Sequence, residues 1–241
     1  MELVIILVTA GVTAVLSAVA GLGGGVILLV VLAQFFTPVV AIPIHGGIQM
    51  VSNGSRAFLL RKDVRWPAVG WGSLLLLPAA AVGVVVAKSL PEVATVLTLA
   101  LFVLVVAWRP SLLRWKGGRP LPDKAMLVVG ALSGFLNSTV GASGPVTSPF
   151  YKAVTVSHKA FVATAASSQV AAHVSKLVVF SAGGFDLRQH VTTIVGGAIA
   201  VVIGSWVGTR LLDKASINHL DLLFKVVLTV LACRLIIQAV V

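Results

Sequence analysis

Polar side chains at helical spacing interrupt two long apolar stretches of the sequence, 120 positions apart. Each set occupies positions i, i+4 and i+7, which lie on one face of a helix. The two sets are Gln49, Asn53 and Arg56, and Gln169, His173 and Lys176. His45 extends the first set by another turn. Amide, imidazole and cationic groups inside an apolar helix usually face a cavity or a partner helix, and they can donate hydrogen bonds to an anion.

Each of these residues also has a purely structural interpretation. Arg56 and Lys176 lie within two turns of their predicted helix ends, so their cations could extend to the membrane surface. Gln49 and Gln169 lie deeper and could hydrogen-bond neighbouring helices. His173 favours a functional site more strongly, because imidazole can also titrate near neutral pH.

Two glycine-rich breaks lie at matching places in the two halves of the chain. Residues 21–25 are Gly-Leu-Gly-Gly-Gly, and residues 141–145 are Gly-Ala-Ser-Gly-Pro, preceded by Asn-Ser-Thr at 137–139. Glycine permits unusual backbone dihedrals, and proline suits the first turn of a new helix. Each break therefore predicts a helix end, a turn and a new helix start within the membrane, where free N–H groups carry partial positive charge. Such paired breaks indicate the substrate site of a transporter, and close glycine packing between helices is the alternative.

The breaks and the polar sets together define the candidate substrate-binding residues. These are Gly23, Gly24, Gly25, His45, Gln49, Asn53, Arg56, Asn137, Ser138, Ser143, Gly144, Gln169, His173 and Lys176. All seven acidic residues lie at termini or in predicted loops. An interior without carboxylates suits an anion better than a cation or a metal. We expect no cofactor. The sequence lacks the phosphate-binding motif GxxxxGK[ST] that ATP hydrolysis requires, so transport would be secondary or passive. If transport is coupled to protons, His45 and His173 are the candidate proton carriers.

The composition predicts an all-α integral membrane protein. Of the 241 residues, 58% are hydrophobic and 10% are charged, against about 25% charged in an ordinary soluble domain. The net charge of +11 is typical of basic cytoplasmic loops in a membrane protein. Nucleic-acid binding is not expected, since basic and aromatic residues do not alternate and the chain has a single tyrosine.

About eight transmembrane segments are expected, in two homologous repeats. The apolar stretches are 3–20, 26–36, 40–60, 66–87, 93–108, 125–136, 146–154, 158–180, 191–212 and 222–240. The repeats are 1–109 and 125–241, joined by a basic cytoplasmic connector at 110–124. The first unit of each repeat is broken or re-entrant, because residues 3–36 would form a helix of about 50 Å across a core of about 30 Å. Whether the repeats are parallel or inverted depends on how that unit crosses, and we favour inverted repeats.

The chain resembles the sulfite exporter TauE/SafE family over essentially its full length. The resemblance lies in the break at 21–25, the stretch from His45-Gly46-Gly47 to Asn53, and the second break at 141–145. It implies a permease of the bacterial inner membrane for sulfur-containing anions such as sulfite or small organosulfonates. The chain departs from the common pattern at 142–143, where Ala and Ser replace part of the usual glycine run.

The expected function is secondary transport of such an anion by alternating access around a site at the bilayer midplane, in a protein that we expect to be a homodimer. Two alternatives stay open at this stage. The sequence Gly141-Ala142-Ser143-Gly144 also resembles the nucleophile turn of rhomboid intramembrane proteases, with Ser143 as nucleophile, His173 as general base and Asn137 near the oxyanion. The other alternative is a transporter of another small anion.

Overall fold

The structure is a computed structural model that describes residues 1–20, 23–113, 120–212 and 220–240. This part of the chain is helical, without strands, and contains eleven α-helices. They are α1 (Glu2–Ala20), α2 (Gly24–Leu32), α3 (Pro38–Leu59), α4 (Trp66–Ser73), α5 (Leu76–Ser89), α6 (Glu92–Trp108), α7 (Met126–Thr139), α8 (Gly144–Val154), α9 (His158–Ala182), α10 (Val191–Leu211) and α11 (Leu220–Val240). Short 3-10 turns lie at Arg61–Asp63, Pro110–Leu113, Asp123–Ala125 and Leu187–His190.

The two halves of the chain show the same order of elements. Each begins with a helix (α1, α7), a short helix (α2, α8) and a long helix (α3, α9). A 3-10 turn, a further helical segment (α4 with α5, or α10) and a last helix (α6, α11) follow. The packing is reciprocal as well, since α1 packs against α10 and α7 against α5, while α3 packs against α9 and α6 against α11.

The long helices α3 and α9 run antiparallel to each other. At one end of their interface, Gly46 lies against the Lys176 side chain. Towards the other end, Gly54 lies near Val170, and the N–H of Arg65, beyond α3, donates to Thr164 Oγ1 over 2.9 Å. These two helices, the third of each half, therefore point in opposite directions at the centre of the molecule.

Few helices cross a bilayer by length and composition alone. Among the described residues, Glu2–Val19 and Leu187–Leu211 are long and apolar enough, and α4 with α5 qualifies if the bent pair is one span. The pair is bent by 47°, because Pro78 lacks an N–H and its ring crowds the carbonyl of residue 74. α3 and α9 are long enough, with 22 and 25 residues, but their polar side chains lower the mean hydropathy. The count of about eight spans and the common origin of the halves stay predictions.

Glycine permits close helix contacts at two places in the described part of the chain. A Cβ added to Gly204 in α10 would overlap the Gly11 carbonyl oxygen of α1, and one at Gly130 in α7 would overlap the Gly72 carbonyl oxygen of α4. Such contacts let two backbones approach directly, as in small-residue interfaces of membrane helices. The first helix of each half is thus held against the other half.

The loop after α3 contacts the described end of the connector. Arg65, just before α4, donates from Nε to Asp123 Oδ1 over 2.7 Å, which ties the first basic loop to the end of the connector. The connector residues Arg114, Lys116 and Arg119 lie outside the described part of the chain.

Candidate functional site

Both predicted breaks interrupt helices at the expected places. α1 ends at Ala20 and α2 begins at Gly24, while α7 ends at Thr139 and α8 begins at Gly144. Gly23 has φ 114° and Gly141 has φ 84°, in the region that side chains with a Cβ rarely adopt. Residues 21 and 22 of the first break lie outside the described part of the chain.

Two helix N-termini open toward the space between α3 and α9. Neither Gly23 nor Ser143, the residues that precede α2 and α8, makes a side-chain cap. The first N–H groups of a helix generally have no partner within that helix. Here Val26 N–H donates to the Gly23 carbonyl oxygen and Val146 N–H to the Ser143 carbonyl oxygen, each over 3.0 Å, and Pro145 has no N–H. The first-turn donors that remain at the breaks are the N–H groups of Gly24, Gly25 and Gly144. Gly25 lies against the Gln49 amide in the middle of α3, and Ser143 lies against Gln169 in the middle of α9.

The two short helices leave this space in opposite directions. α2 returns from the middle of α3 to its beginning, and α8 returns from the middle of α9 to its beginning. Because α3 and α9 are antiparallel, the N-termini of α2 and α8 approach the centre from opposite sides. The partial positive charges of both N-termini therefore lie at the same cavity and add there.

A cavity of about 40 Å³ lies at this point. A water molecule needs roughly 10–15 Å³ of such space, so the cavity has room for a compact anion of a few heavy atoms. Its wall consists of Ser17, Gly23, Gly25, Val26, His45, Gln49, Asn53, Arg56, Asn137, Ala142, Ser143, Gly144, Pro145, Gln169 and His173. None of the described wall residues carries a carboxylate.

The second break contributes a network of hydrogen bonds around one hydroxyl group. Ser143 Oγ accepts from Asn137 Nδ2 at 2.7 Å and from Gln169 Nε2 at 3.0 Å, and it lies 2.8 Å from Ser133 Oγ. Asn137 Nδ2 also donates to Gln169 Oε1 over 3.1 Å. The network fixes the two cavity-lining amides in place, because each is hydrogen-bonded to Ser143 and to the other.

Arg56 places a cation on the opposite part of the wall. Its side chain is 1% exposed, so it does not extend to the membrane surface. Nη1 donates to the Ser17 carbonyl oxygen over 2.8 Å, and Nη2 donates to Asn53 Oδ1 over 2.6 Å. The Asn53 amide in turn donates to the Gln49 carbonyl oxygen over 2.8 Å. These bonds orient the guanidinium at the cavity.

Two histidine rings complete the wall. His45 Nε2 lies 2.9 Å from the Gly25 carbonyl oxygen, which can only accept, so Nε2 carries a proton. The His45 and His173 rings meet edge to face, with centroids 5.8 Å apart. The predicted alignment of His45 with the polar face of α3 therefore brings two imidazoles together across the α3–α9 interface.

Three candidate residues lie off the cavity wall. A Cβ added to Gly24 would overlap the Thr13 carbonyl oxygen, which makes Gly24 a packing residue between α1 and α2. Ser138 is buried beside Gly83 of α5. Lys176 is fully buried and donates from Nζ to the Gly141 carbonyl oxygen over 3.3 Å.

Sequence reasoning missed some wall residues. They are Ser17, Val26, Ala142 and Pro145. The repeat offset of 120 positions aligns Ser17 with Asn137, and this alignment was the signal that could have found it. Val26 and Ala142 carry no chemical signal of their own.

The geometry does not support the protease alternative. The partners of Ser143 Oγ are Ser133, Asn137 and Gln169, and in the described part of the chain no hydrogen bond joins Ser143 to His173. A serine nucleophile needs a general base within hydrogen-bond reach. The described residues also contain no group of three or more His, Cys, Asp or Glu that could hold a metal ion.

A family model described as "Sulfite exporter TauE/SafE" matches residues 5–235. The matched range contains both breaks, both polar sets and the whole wall of the cavity. No curated protein and no solved structure gives a significant match.

Proposed function

The chain belongs to the sulfite exporter TauE/SafE family, a family of membrane transporters of sulfur-containing anions, and from that premise we propose that it is a secondary permease for a small sulfur oxyanion. We further propose that the anion binds in the cavity between α3 and α9. The observation that carries the proposal is the meeting of two helix N-termini and the Arg56 guanidinium at one small cavity.

The chemistry of the wall matches an oxyanion. Helix N-termini bind anions through free N–H groups and a charge of about +0.5 each. A guanidinium offers planar, directed donors that match the geometry of oxygen atoms on a central atom. The wall amides of Gln49 and Gln169 supply further donors. The described wall contains no carboxylate, the group that would repel such a ligand.

The volume of the cavity favours a small substrate. About 40 Å³ has room for a few groups of the size of a water molecule, which favours a compact oxyanion over a longer organosulfonate. We therefore propose sulfite or a similarly compact sulfur anion as the preferred substrate, with organosulfonates bound more weakly.

The opposed directions of the halves support alternating access. If the halves are inverted repeats in the membrane, one short helix leads from the site toward each face, so that either half can open its own side. We place the face with Arg65 and Asp123 in the cytoplasm, because it carries the basic loops, and the protein in the inner membrane. A homodimeric assembly and proton coupling through His45 or His173 stay predictions.

The proposal is tested by uptake of radiolabelled sulfite into proteoliposomes, with protein-free liposomes as blank. Arg56→Gln removes the cation on the wall, and Arg61→Gln removes an exposed arginine of the same region. We expect Arg56→Gln to reduce sulfite uptake at least tenfold, since a hydrogen bond to a charged group is worth about 1.5–3 kcal/mol. We expect Arg61→Gln to stay within about twofold of wild type, as a change on the exposed surface does.

Competition identifies the substrate class. Unlabelled sulfite and sulfoacetate should inhibit uptake, and chloride should not at the same concentration. Wild-type protein that carries chloride as well as sulfite would point to a general anion permease, and uptake equal to the blank would refute the proposed function.

A further inference from the structure

Lys176 is a buried cation that does not touch the cavity. Its side chain is 0% exposed, and Nζ donates to the carbonyl oxygen of Gly141, the residue with positive φ in the second break. The direct partner of this lysine is thus the backbone at the end of α7, next to the N-terminus of α8.

Arg56 has the corresponding role in the first half. It lies 120 positions before Lys176, and its Nη1 donates to the Ser17 carbonyl oxygen in the last turn of α1. In each half, a cation of the third helix therefore binds a carbonyl near the C-terminal end of the first helix, within its last turn in the first half and two residues after it in the second. Such helix ends carry partial negative charge, which would otherwise oppose an anion in the adjacent cavity.

We propose that Lys176 is a positioning residue that neutralises the carbonyl end of the second break and makes the site prefer doubly charged over singly charged anions. The proposal rests on the proposed function, because it concerns the charge of the ligand in the same cavity. A fixed cation interacts twice as strongly with a charge of −2 as with a charge of −1 at the same place. Lys176 thus acts through the backbone and through its field, without touching the ligand.

The first test compares two sulfonates in proteoliposomes. Sulfoacetate carries two negative charges at neutral pH, and methanesulfonate carries one. For Lys176→Met, the KM for the dianion should rise by a larger factor than the KM for the monoanion, for example about tenfold against about threefold, because the carboxylate charge adds its own interaction to that of the sulfonate. Lys176→Arg keeps the charge and should restore the wild-type ratio. A merely structural role would change both KM values by the same factor.

The second test moves the lysine without removing its charge. A Cβ added to Gly46 in α3 would lie 2.8 Å from Lys176 Cε, so Gly46→Ala displaces the flexible side chain from the Gly141 carbonyl. Gly54→Ala is the matched control on the same helix, because its nearest neighbour is a Val170 methyl at 4.0 Å. We expect Gly46→Ala to raise the KM for sulfoacetate about threefold or more, and Gly54→Ala to leave it within experimental error.

The outcomes separate this proposal from the proposed function. Wild-type protein that transports neither sulfonate nor sulfite contradicts the proposed function. Transport by wild type with an unchanged KM ratio in Lys176→Met contradicts the role of Lys176 alone. If Lys176→Met does not give a monodisperse protein, the comparison of Gly46→Ala with Gly54→Ala decides, and equal KM values in these two variants overturn the proposal.

Discussion

Replacing Ser143 by alanine removes the acceptor that holds two wall amides in place. Asn137 Nδ2 and Gln169 Nε2 both donate to Ser143 Oγ, at 2.7 and 3.0 Å. Alanine fits the space and keeps the start of α8, so the change acts on the orientation of the amides. Each amide then swings away from its present direction or binds water in the cavity.

The magnitude follows from the number of bonds lost. Each intramolecular hydrogen bond contributes about 0.5–1.5 kcal/mol net, so two bonds contribute about 2 kcal/mol. The cavity of about 40 Å³ can admit water, which satisfies the released donors and limits the loss of folding stability. We therefore expect the effect chiefly in affinity, as a rise in KM for sulfite of about 30-fold, since 1.4 kcal/mol corresponds to a factor of ten.

The assay is the concentration dependence of sulfite uptake into proteoliposomes, together with a thermal melt in detergent. Ser138→Ala is the control, because Ser138 is buried in the same segment but lies off the wall, and its hydroxyl has no hydrogen-bond partner in the described part of the chain. A wild-type KM for Ser143→Ala, or an equal loss in Ser138→Ala, would refute the reasoning. Complete loss of activity in Ser143→Ala alone, with proteolytic activity in the wild type, would instead favour a serine nucleophile.

Two further changes test the wall and the packing. His173→Ala should lower sulfite uptake several-fold and leave the melting temperature near that of wild type, because His173 lines the cavity; wild-type flux at matched expression would remove it from the site. Gly204→Ala should lower the melting temperature, since its Cβ would overlap the Gly11 carbonyl oxygen, and forced overpacking costs about 1–3 kcal/mol. Gly70→Ala is the matched control, because no atom lies within 4 Å of a Cβ added at this position, and it should leave the protein as stable as wild type or more stable. Equal shifts of the melting temperature in the two glycine variants would contradict the packing argument.

The polar faces of α3 and α9 were predictable because helical spacing is a local property. Gln49, Asn53 and Arg56 fall on one face at any helix position, and the structure places all three on the cavity wall. Lys176 has the same spacing relative to Gln169 and His173, yet it binds the Gly141 carbonyl instead of facing the cavity. Spacing specifies the face of a helix, whereas the neighbour at each point of that face depends on how helices pack.

The bent helix pair α4–α5 shows a second limit. Its apolar stretch at 66–87 predicts one continuous span, and the structure bends it by 47° between Ser73 and Leu76. Pro78 was visible in the sequence, but prolines do not always bend a helix, since α3 and α8 continue past Pro43 and Pro149. Whether the lost hydrogen bond bends the helix depends on the packing around it.

The sequence by itself determined the helical class, the apolar composition typical of a membrane protein and the positions of both breaks. These features follow from hydropathy, glycine dihedrals and proline geometry, which act over a few neighbouring residues. It also determined that the interior donates hydrogen bonds without offering a mid-span carboxylate. Only the tertiary structure decided that α3 and α9 run antiparallel and that the N-termini of α2 and α8 meet at one cavity. It also decided that Arg56 lines this cavity, whereas Lys176 binds the Gly141 carbonyl oxygen off the cavity wall. These relations join residues from about 35 to about 130 positions apart, and they depend on side-chain volumes and close backbone contacts that no local pattern records.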